Sequence, residues 1–354
     1  MKFIKNIIFS KTPLNGLYRY SDKFQIYPLD IERAPSSPFA EHFPMVIEFC
    51  YDESEVKEVN KFEEMKEYFP ISQLTAQTNK LIQITNLLST ISNFRFFFYR
   101  QTDMKWAVAL PDIEMDKMTE EMRVEYNKTS SKWSMLLYAY PNMGDDLKIT
   151  EFSNPKFPKI DLIEQVKYYY YDPLESKNKS IDFPHTIDRV LDKYYSLNEK
   201  TMKIINSGMH QFCNGLDLFK NMKSLSFFSF VSSIETMVNL EFRNEKIEFE
   251  CNDCKTIKSS ERACQKCGRP IWGISAKFRE FLFKYVSDRP EGKTLYNKIY
   301  TVRSKITHTE YLLSGDNFLE WNFTDKTEEI DLLHLKAMQL ARRSFANWLL
   351  QHTE

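Results

Sequence analysis

Four of the chain's six cysteines stand in two close pairs, Cys251 with Cys254 and Cys264 with Cys267, within the stretch CNDCKTIKSSERACQKCGRP. No other feature constrains the fold as tightly. Two residues between cysteines let both thiolates reach one tetrahedral ion, and the second pair supplies the remaining two ligands. Four sulfurs leave no open position for water, so the expected ion is a structural Zn2+ holding a ribbon over residues 245–272. Gly268 follows the last cysteine and suits a turn at positive φ, in which backbone amides approach the sulfurs. Lys255 stands in the equivalent place after the first pair, a departure from that pattern. Lys255, Lys258, Arg262, Lys266 and Arg269 give the ribbon basic projections, but Glu245, Glu248, Glu250, Asp253 and Glu261 nearly cancel them. A structural clip and a nucleic-acid contact are equally compatible with this balance. Cys50 and Cys213 stand alone, so there is no spread-out disulfide framework, and the cysteine usage points to the cytoplasm.

The ribbon interrupts a helical texture. Segments 196–219, 221–242, 276–286, 296–313 and 328–350 repeat apolar residues at intervals of three and four, which predicts five helices in an antiparallel bundle. Leu225, Phe228, Val231, Ile234 and Val238 form the expected buried stripe of the second helix. Leu295, Ile299, Val302 and Ile306 form that of the fourth.

Residues before about 180 have a different texture. The short aromatic and β-branched runs 45–51, 94–100, 105–110 and 132–140 predict strands, the second and third joined as a hairpin, around a helix over 72–91. The expectation is an α+β domain with an antiparallel sheet over residues 1–180, then an all-α domain over 181–354 carrying the ribbon. Residues 173–180 read as a linker. Tyr168 to Tyr171 suit an edge strand or an interdomain contact better than a stacking surface for bases. The opening MKFIKNIIFSKTPLNGLYRY is basic and then apolar, but Lys5 interrupts it and no small-residue cleavage site follows, so no signal peptide is expected. No run is long and uncharged enough to span a membrane. With 48 basic and 49 acidic residues, the chain is not a bulk polyanion binder. The first domain contains no phosphate loop, paired-carboxylate motif or nucleophile elbow.

The fourth helical segment, YNKIYTVRSKITHTEYLL, carries Arg303 and His308. Around these residues the chain resembles the HEPN superfamily, the higher eukaryotes and prokaryotes nucleotide-binding domains, whose ribonucleases carry an arginine, then four to six residues, then a histidine. The likeness is closest to the branch related to the bacterial anti-phage ApeA proteins, in which a tyrosine precedes an Arg-Ser pair, here Tyr300, Arg303 and Ser304. The stretch FFSFVSSIETMVNLEF is similar to the family helix that brings an acidic residue to the site, here Glu235, and the helix ending in SFANWLL closes the bundle. The resemblance covers about residues 190 to 352. It departs where many relatives have glycine after the histidine, since this chain has Thr309.

The resemblance implies a metal-independent endoribonuclease: Arg303 stabilises the phosphorane, His308 moves a proton, and Ser304 and Glu235 orient them. It also implies an RNA substrate, a homodimer with two arginines and two histidines across one cleft, and a toxin or effector role in anti-phage defence. The first domain would then sense a trigger or restrain the nuclease. Five residues at about 100° each leave Arg303 and His308 about 140° apart on a regular helix. Either the β-branched run Ile306, Thr307, Thr309 loosens the helix end, or two subunits supply the site jointly. The competing reading is an RNA- or protein-binding adaptor, with Arg303 in an ion pair and His308 capping a helix. His185, His210 and His334 have no comparable sequence partners and are expected to be structural or exposed.

Overall fold

The computed structural model describes residues 2–29, 42–52, 71–98, 119–122, 148–169, 180–243, 248–251, 253–259, 266–267, 273–309, 311–313, 316 and 325–352. An antiparallel sheet comes first and mostly helices follow. The chain divides into two compact units. One is Met1–Leu88, Phe94–Glu164 and Asp172–His185; the other is Ser89–Asn93, Gln165–Tyr171 and Thr186–Glu354.

In the first unit, strands β1 (Lys2–Ser10), β2 (Tyr18–Tyr20), β3 (Phe24–Pro28), β4 (Phe43–Tyr51) and β5 (Lys148–Ile149) form a sheet in the order β2-β3-β4-β1-β5. Its neighbours are antiparallel, and β1 and β4 pair from Lys2↔Tyr51 to Ser10↔Phe43. Most of the apolar opening is thus an inner strand. Ile4, Ile7, Ile8 and Phe9 are buried. Consecutive buried residues mean that both faces of the strand are covered there, which erases the alternation by which a half-exposed strand is recognised. Helix α1 (Ile71–Ile91) covers the predicted helix, with Leu81, Ile84, Leu87, Leu88 and Ile91 all buried.

The expected strand over 94–100 is not one over its described part: only an isolated bridge joins Phe97 to Phe9, through hydrogen bonds of 2.7 and 3.0 Å. A bridge of one residue pair uses two backbone groups and leaves the rest of the run without a ladder. Residues 99–100 and the runs 105–110 and 132–140, and with them the expected hairpin, lie outside the described residues.

One acidic side chain is buried in the sheet. Glu48 of β4 is 1% exposed and accepts from Gln25 Nε2 (2.8 Å), the Ser153 backbone N–H (2.8 Å), the Tyr27 hydroxyl (2.6 Å) and the Ser153 hydroxyl. Donors surround the carboxylate, which is the condition for keeping it away from water. Burial and the bond to Glu48 push the Tyr27 phenol well above its ordinary range.

The second unit takes in Ser89–Asn93, at the end of α1, and then a single helical turn, α2 (Gln165–Tyr168). Then come α3 (Ile187–Ser196), α4 (Glu199–Leu218), α5 (Lys223–Glu241), α6 (Ile274–Tyr285), α7 (Pro290–His308) and α8 (Asp325–Gln351). From residue 187 on there are six described helices where the periodicity predicted five, so the histidine helix is fifth rather than fourth. The break between α3 and α4 comes at Asn198, whose side chain accepts from the Thr201 N–H and caps α4.

Gly208 and Gly215, seven residues apart on one face of α4, let neighbours reach its backbone. A Cβ on Gly215 would lie 2.5 Å from the Phe230 ring of α5, and one on Gly208 would lie 2.9 Å from the Phe345 ring of α8. With small residues on one side and large rings on the other, α5 is covered almost all round. Phe227, Phe230, Val231, Ile234, Met237 and Val238 are fully buried. The predicted stripe is corrected at two positions: Leu225 is 45% exposed, and Phe228 is only half-buried.

Polar groups tie the bundle together. Glu241 at the end of α5 accepts from Lys284 (2.6 Å) and Tyr285 (2.8 Å) of α6 and from the Trp348 indole (2.8 Å) of α8. Burial alone would raise its pKa, but these three donors outweigh that and hold the carboxyl below its usual range. Both Asp316 oxygens accept from the first N–H groups of α5, at Lys223 and Ser224 (2.7 Å each), a cap supplied from distant sequence. His334 is 2% exposed; it pairs with the Ser226 hydroxyl at 2.8 Å and stacks on Phe219 at 4.3 Å. Burial, helped by Lys223, pushes its pKa down to about 4. Among the described residues, no helix is long and apolar enough to cross a membrane.

Candidate functional site

Two groups of side chains stand out among the described residues. At the first, strands β6 (Glu248–Glu250) and β7 (Ile257–Ser259) pair antiparallel, and the turn between them holds Cys251 and Cys254. The sulfurs of Cys251, Cys254 and Cys267 lie within 4.8 Å of one another. Cys251 and Cys267 are 3.4 Å apart, not joined in a disulfide. A tetrahedron of sulfurs about 2.3 Å from an ion has edges of about 3.8 Å, so this spacing suits a shared metal. Cys264 lies outside the described residues.

Lys255 resolves the departure noted after the first cysteine pair. Its φ is 55°, the left-handed region, and the turn is closed by hydrogen bonds from Lys255 N–H to Cys251 O (2.8 Å) and from Cys251 N–H to Thr256 O (3.0 Å). The lysine therefore adopts the backbone a glycine would take, at a cost of roughly 1 kcal/mol. Its ammonium lies 3.8 Å from Glu250 with both side chains exposed, so the ion pair contributes little.

The second constellation is on α7. Pro290 opens this helix in its first turn, where a missing N–H costs nothing. The Thr309 N–H reaches Lys305 O at 2.9 Å, so the helix is regular through His308. Thr307 and Thr309 turn their hydroxyls back onto the carbonyls of Arg303 (3.0 Å) and Lys305 (2.9 Å), so each hydroxyl is satisfied within the helix. The expected loosening is therefore absent from the described helix, and the angular separation of Arg303 and His308 stands.

Arg303 turns toward α5. Its Nη2 lies 2.9 Å from Glu235 Oε2, with the two side chains 20% and 13% exposed. Its guanidinium carbon sits 5.1 Å from the centre of the Phe228 ring, and its Nε is buried without a hydrogen-bond partner. Burial raises the pKa of Glu235, against the charge and hydrogen bond of Arg303 that lower it. Tyr300 is raised by burial and by Glu235, with Arg303 opposing, and its ring packs against Phe278 at 5.4 Å.

Of the residues expected at the site, the fold thus joins Arg303 to Glu235. Ser304, next to Arg303 in sequence, is half-buried, and His308 is exposed at the helix end. Phe228 had been assigned to packing. What marks it is its distance from Glu235: seven residues, two helical turns, on one face of α5. A recess of about 620 Å³ opens elsewhere, at the start of α7, lined by Arg289, Tyr296, Lys336 and Arg343 among others. Tyr296, the lining residue on α7 nearest to Arg303, is seven residues from it, about 10 Å of helix, and Arg303 does not line the recess. No family profile, curated protein or solved structure matches this chain.

Proposed function

We propose that the helical unit is a metal-independent endoribonuclease of HEPN type, with Arg303 and His308 as its catalytic groups and a second copy of the chain completing the cleft. The observation that supports it is the ion pair between Arg303 and Glu235, which brings to one place two residues, 68 apart in sequence, that the resemblance had named. On a continuous α7 the exposed His308 cannot share a phosphate with the Arg303 of its own chain; two chains face to face supply both groups.

The 2′-hydroxyl of RNA attacks the adjacent phosphorus and the bond to the 5′-oxygen breaks, leaving a 2′,3′-cyclic phosphate and a 5′-hydroxyl. An imidazole, with its ordinary pKa near neutrality, takes the proton from the attacking oxygen or returns one to the leaving oxygen. A guanidinium offers paired donors to the charge that builds on the phosphorane oxygens. The ribbon holds one structural Zn2+ through Cys251, Cys254 and Cys267, with Cys264 as the fourth ligand, and takes no part in cleavage. In this reading the enzyme is a cytoplasmic toxin or effector of anti-phage defence, restrained by the first unit until triggered.

The uninterrupted α7 favours one alternative, an RNA- or protein-binding adaptor in which Arg303–Glu235 is only a structural pair. Labelled RNA incubated with the protein in excess EDTA separates the two. The nuclease reading expects cutting that leaves cyclic phosphate ends and falls at least about 10³-fold in Arg303→Ala and His308→Ala. Equal cutting by all three proteins, or RNA retained uncut by the wild type, favours the adaptor.

A further inference from the structure

We infer that Phe228 is the positioning residue of Arg303: its ring and the Glu235 carboxylate, two turns apart on α5, clamp the guanidinium between them. The inference rests on the reading of Arg303 as a catalytic group, but the clamp itself is a matter of geometry. Seven residues of α-helix bring two side chains back to within about 20° of one another. Phe228 and Glu235 therefore stand in line along one face of α5, and Arg303 of α7 meets both, at 5.1 Å from the ring centre and 2.9 Å from the carboxylate.

A single charge-assisted bond does not fix a guanidinium. It leaves the group free to rotate about the Nη2···Oε2 axis, and partly exposed pairs of this kind are screened by water. A ring face supplies the missing constraint. It attracts the cation through its quadrupole, covers one side of it from solvent and offers no acceptor that would compete with a phosphate. The unpartnered Nε follows from this: it is turned into a covered place rather than toward a carbonyl.

The burial pattern of α5 points the same way. Phe227, Phe230 and Val231 fill the core, whereas Phe228 between them is half-buried. Its ring is not consumed by packing. Any apolar side chain would serve as filler at such a position, but only an aromatic one would hold a cation.

The test uses the full chain with arginine labelled in 15N. The Arg303 Nε–H resonance is assigned by its loss in Arg303→Lys. In the wild type this signal is expected to be displaced by the nearby ring and to exchange slowly with water. Phe228→Leu, which keeps the apolar bulk, should remove the displacement and speed exchange at least about tenfold, and Phe228→Tyr should restore both. In Glu235→Gln the displacement should persist, because the ring still holds the cation. Should Phe228→Leu not fold, Glu235→Gln and Phe228→Tyr carry the test. An unchanged resonance in Phe228→Leu, or a displacement abolished by Glu235→Gln alone, overturns the clamp. On RNA cleavage, Phe228→Leu should lower kcat about tenfold with KM nearly unchanged and Phe228→Tyr should recover it. If the wild type cuts no RNA, the nuclease reading fails, while the resonance still decides whether the clamp exists.

Discussion

The cysteine turn and the arginine site belong to the same helical unit, yet they are specified in different ways. Cys251 and Cys254 are three residues apart, and the backbone between two paired strands brings their sulfurs together with little help from elsewhere. Arg303, Glu235 and Phe228 come from two helices distant in sequence, and nothing local to any of them says where it points. Proximity in sequence lets spacing predict geometry; where helices must first pack, spacing predicts only which residues share a face.

The sharpest way to break this comparison is to take away the metal. If the turn closes around a structural ion, Cys251→Ser or prolonged chelation should remove about one equivalent of Zn2+ per chain and forfeit binding energy on the order of 10 kcal/mol. Elemental analysis beside thermal unfolding checks this. A wild-type protein purified without metal, or a Cys251→Ser variant with an unshifted transition, would mean that the sulfurs meet for packing alone.

A smaller effect belongs to the packed helices. His334 is neutral in the fold because its pKa is held near 4, below an ordinary value of 6.5. As pH falls below about 6.5 the unfolded chain takes a proton that the folded one refuses, so stability declines until about pH 4 and is undiminished above 6.5. The loss amounts to roughly 3 kcal/mol. Denaturant unfolding at a series of pH values should give a slope in that window that flattens in His334→Asn. Parallel profiles for the two proteins would remove the assignment.

The smallest effect compares two caps. Asn198 caps α4 from its own sequence, and Asp316 caps α5 from a segment more than ninety residues away. Each should be worth about 1 kcal/mol on replacement by alanine. The Asp316→Ala loss should carry an extra sign of tertiary origin, faster hydrogen exchange at Leu313, whose N–H is bound to Ser224 Oγ. Equal exchange in both variants would make the distant cap no different from the local one.

The sequence by itself determined the helices with clear periodicity, the strand over 45–51 and the meeting of Cys251 and Cys254. Each depends on residues a few positions apart, where backbone geometry leaves few options. It did not reveal β1, because a strand covered on both faces carries no alternation, nor α3, whose end at Ser196 runs almost directly into α4. It named Arg303 and Glu235 through a resemblance and His308 with them. Only the tertiary structure decided that Arg303 and Glu235 meet while His308 stands apart on the same helix, that Phe228 faces a cation instead of the core, and that His334 is buried. The physical reason is that a side chain's direction on a helix is fixed relative to its own axis, whereas what it touches depends on which helices pack against that axis, and that is settled by the burial of the whole unit at once.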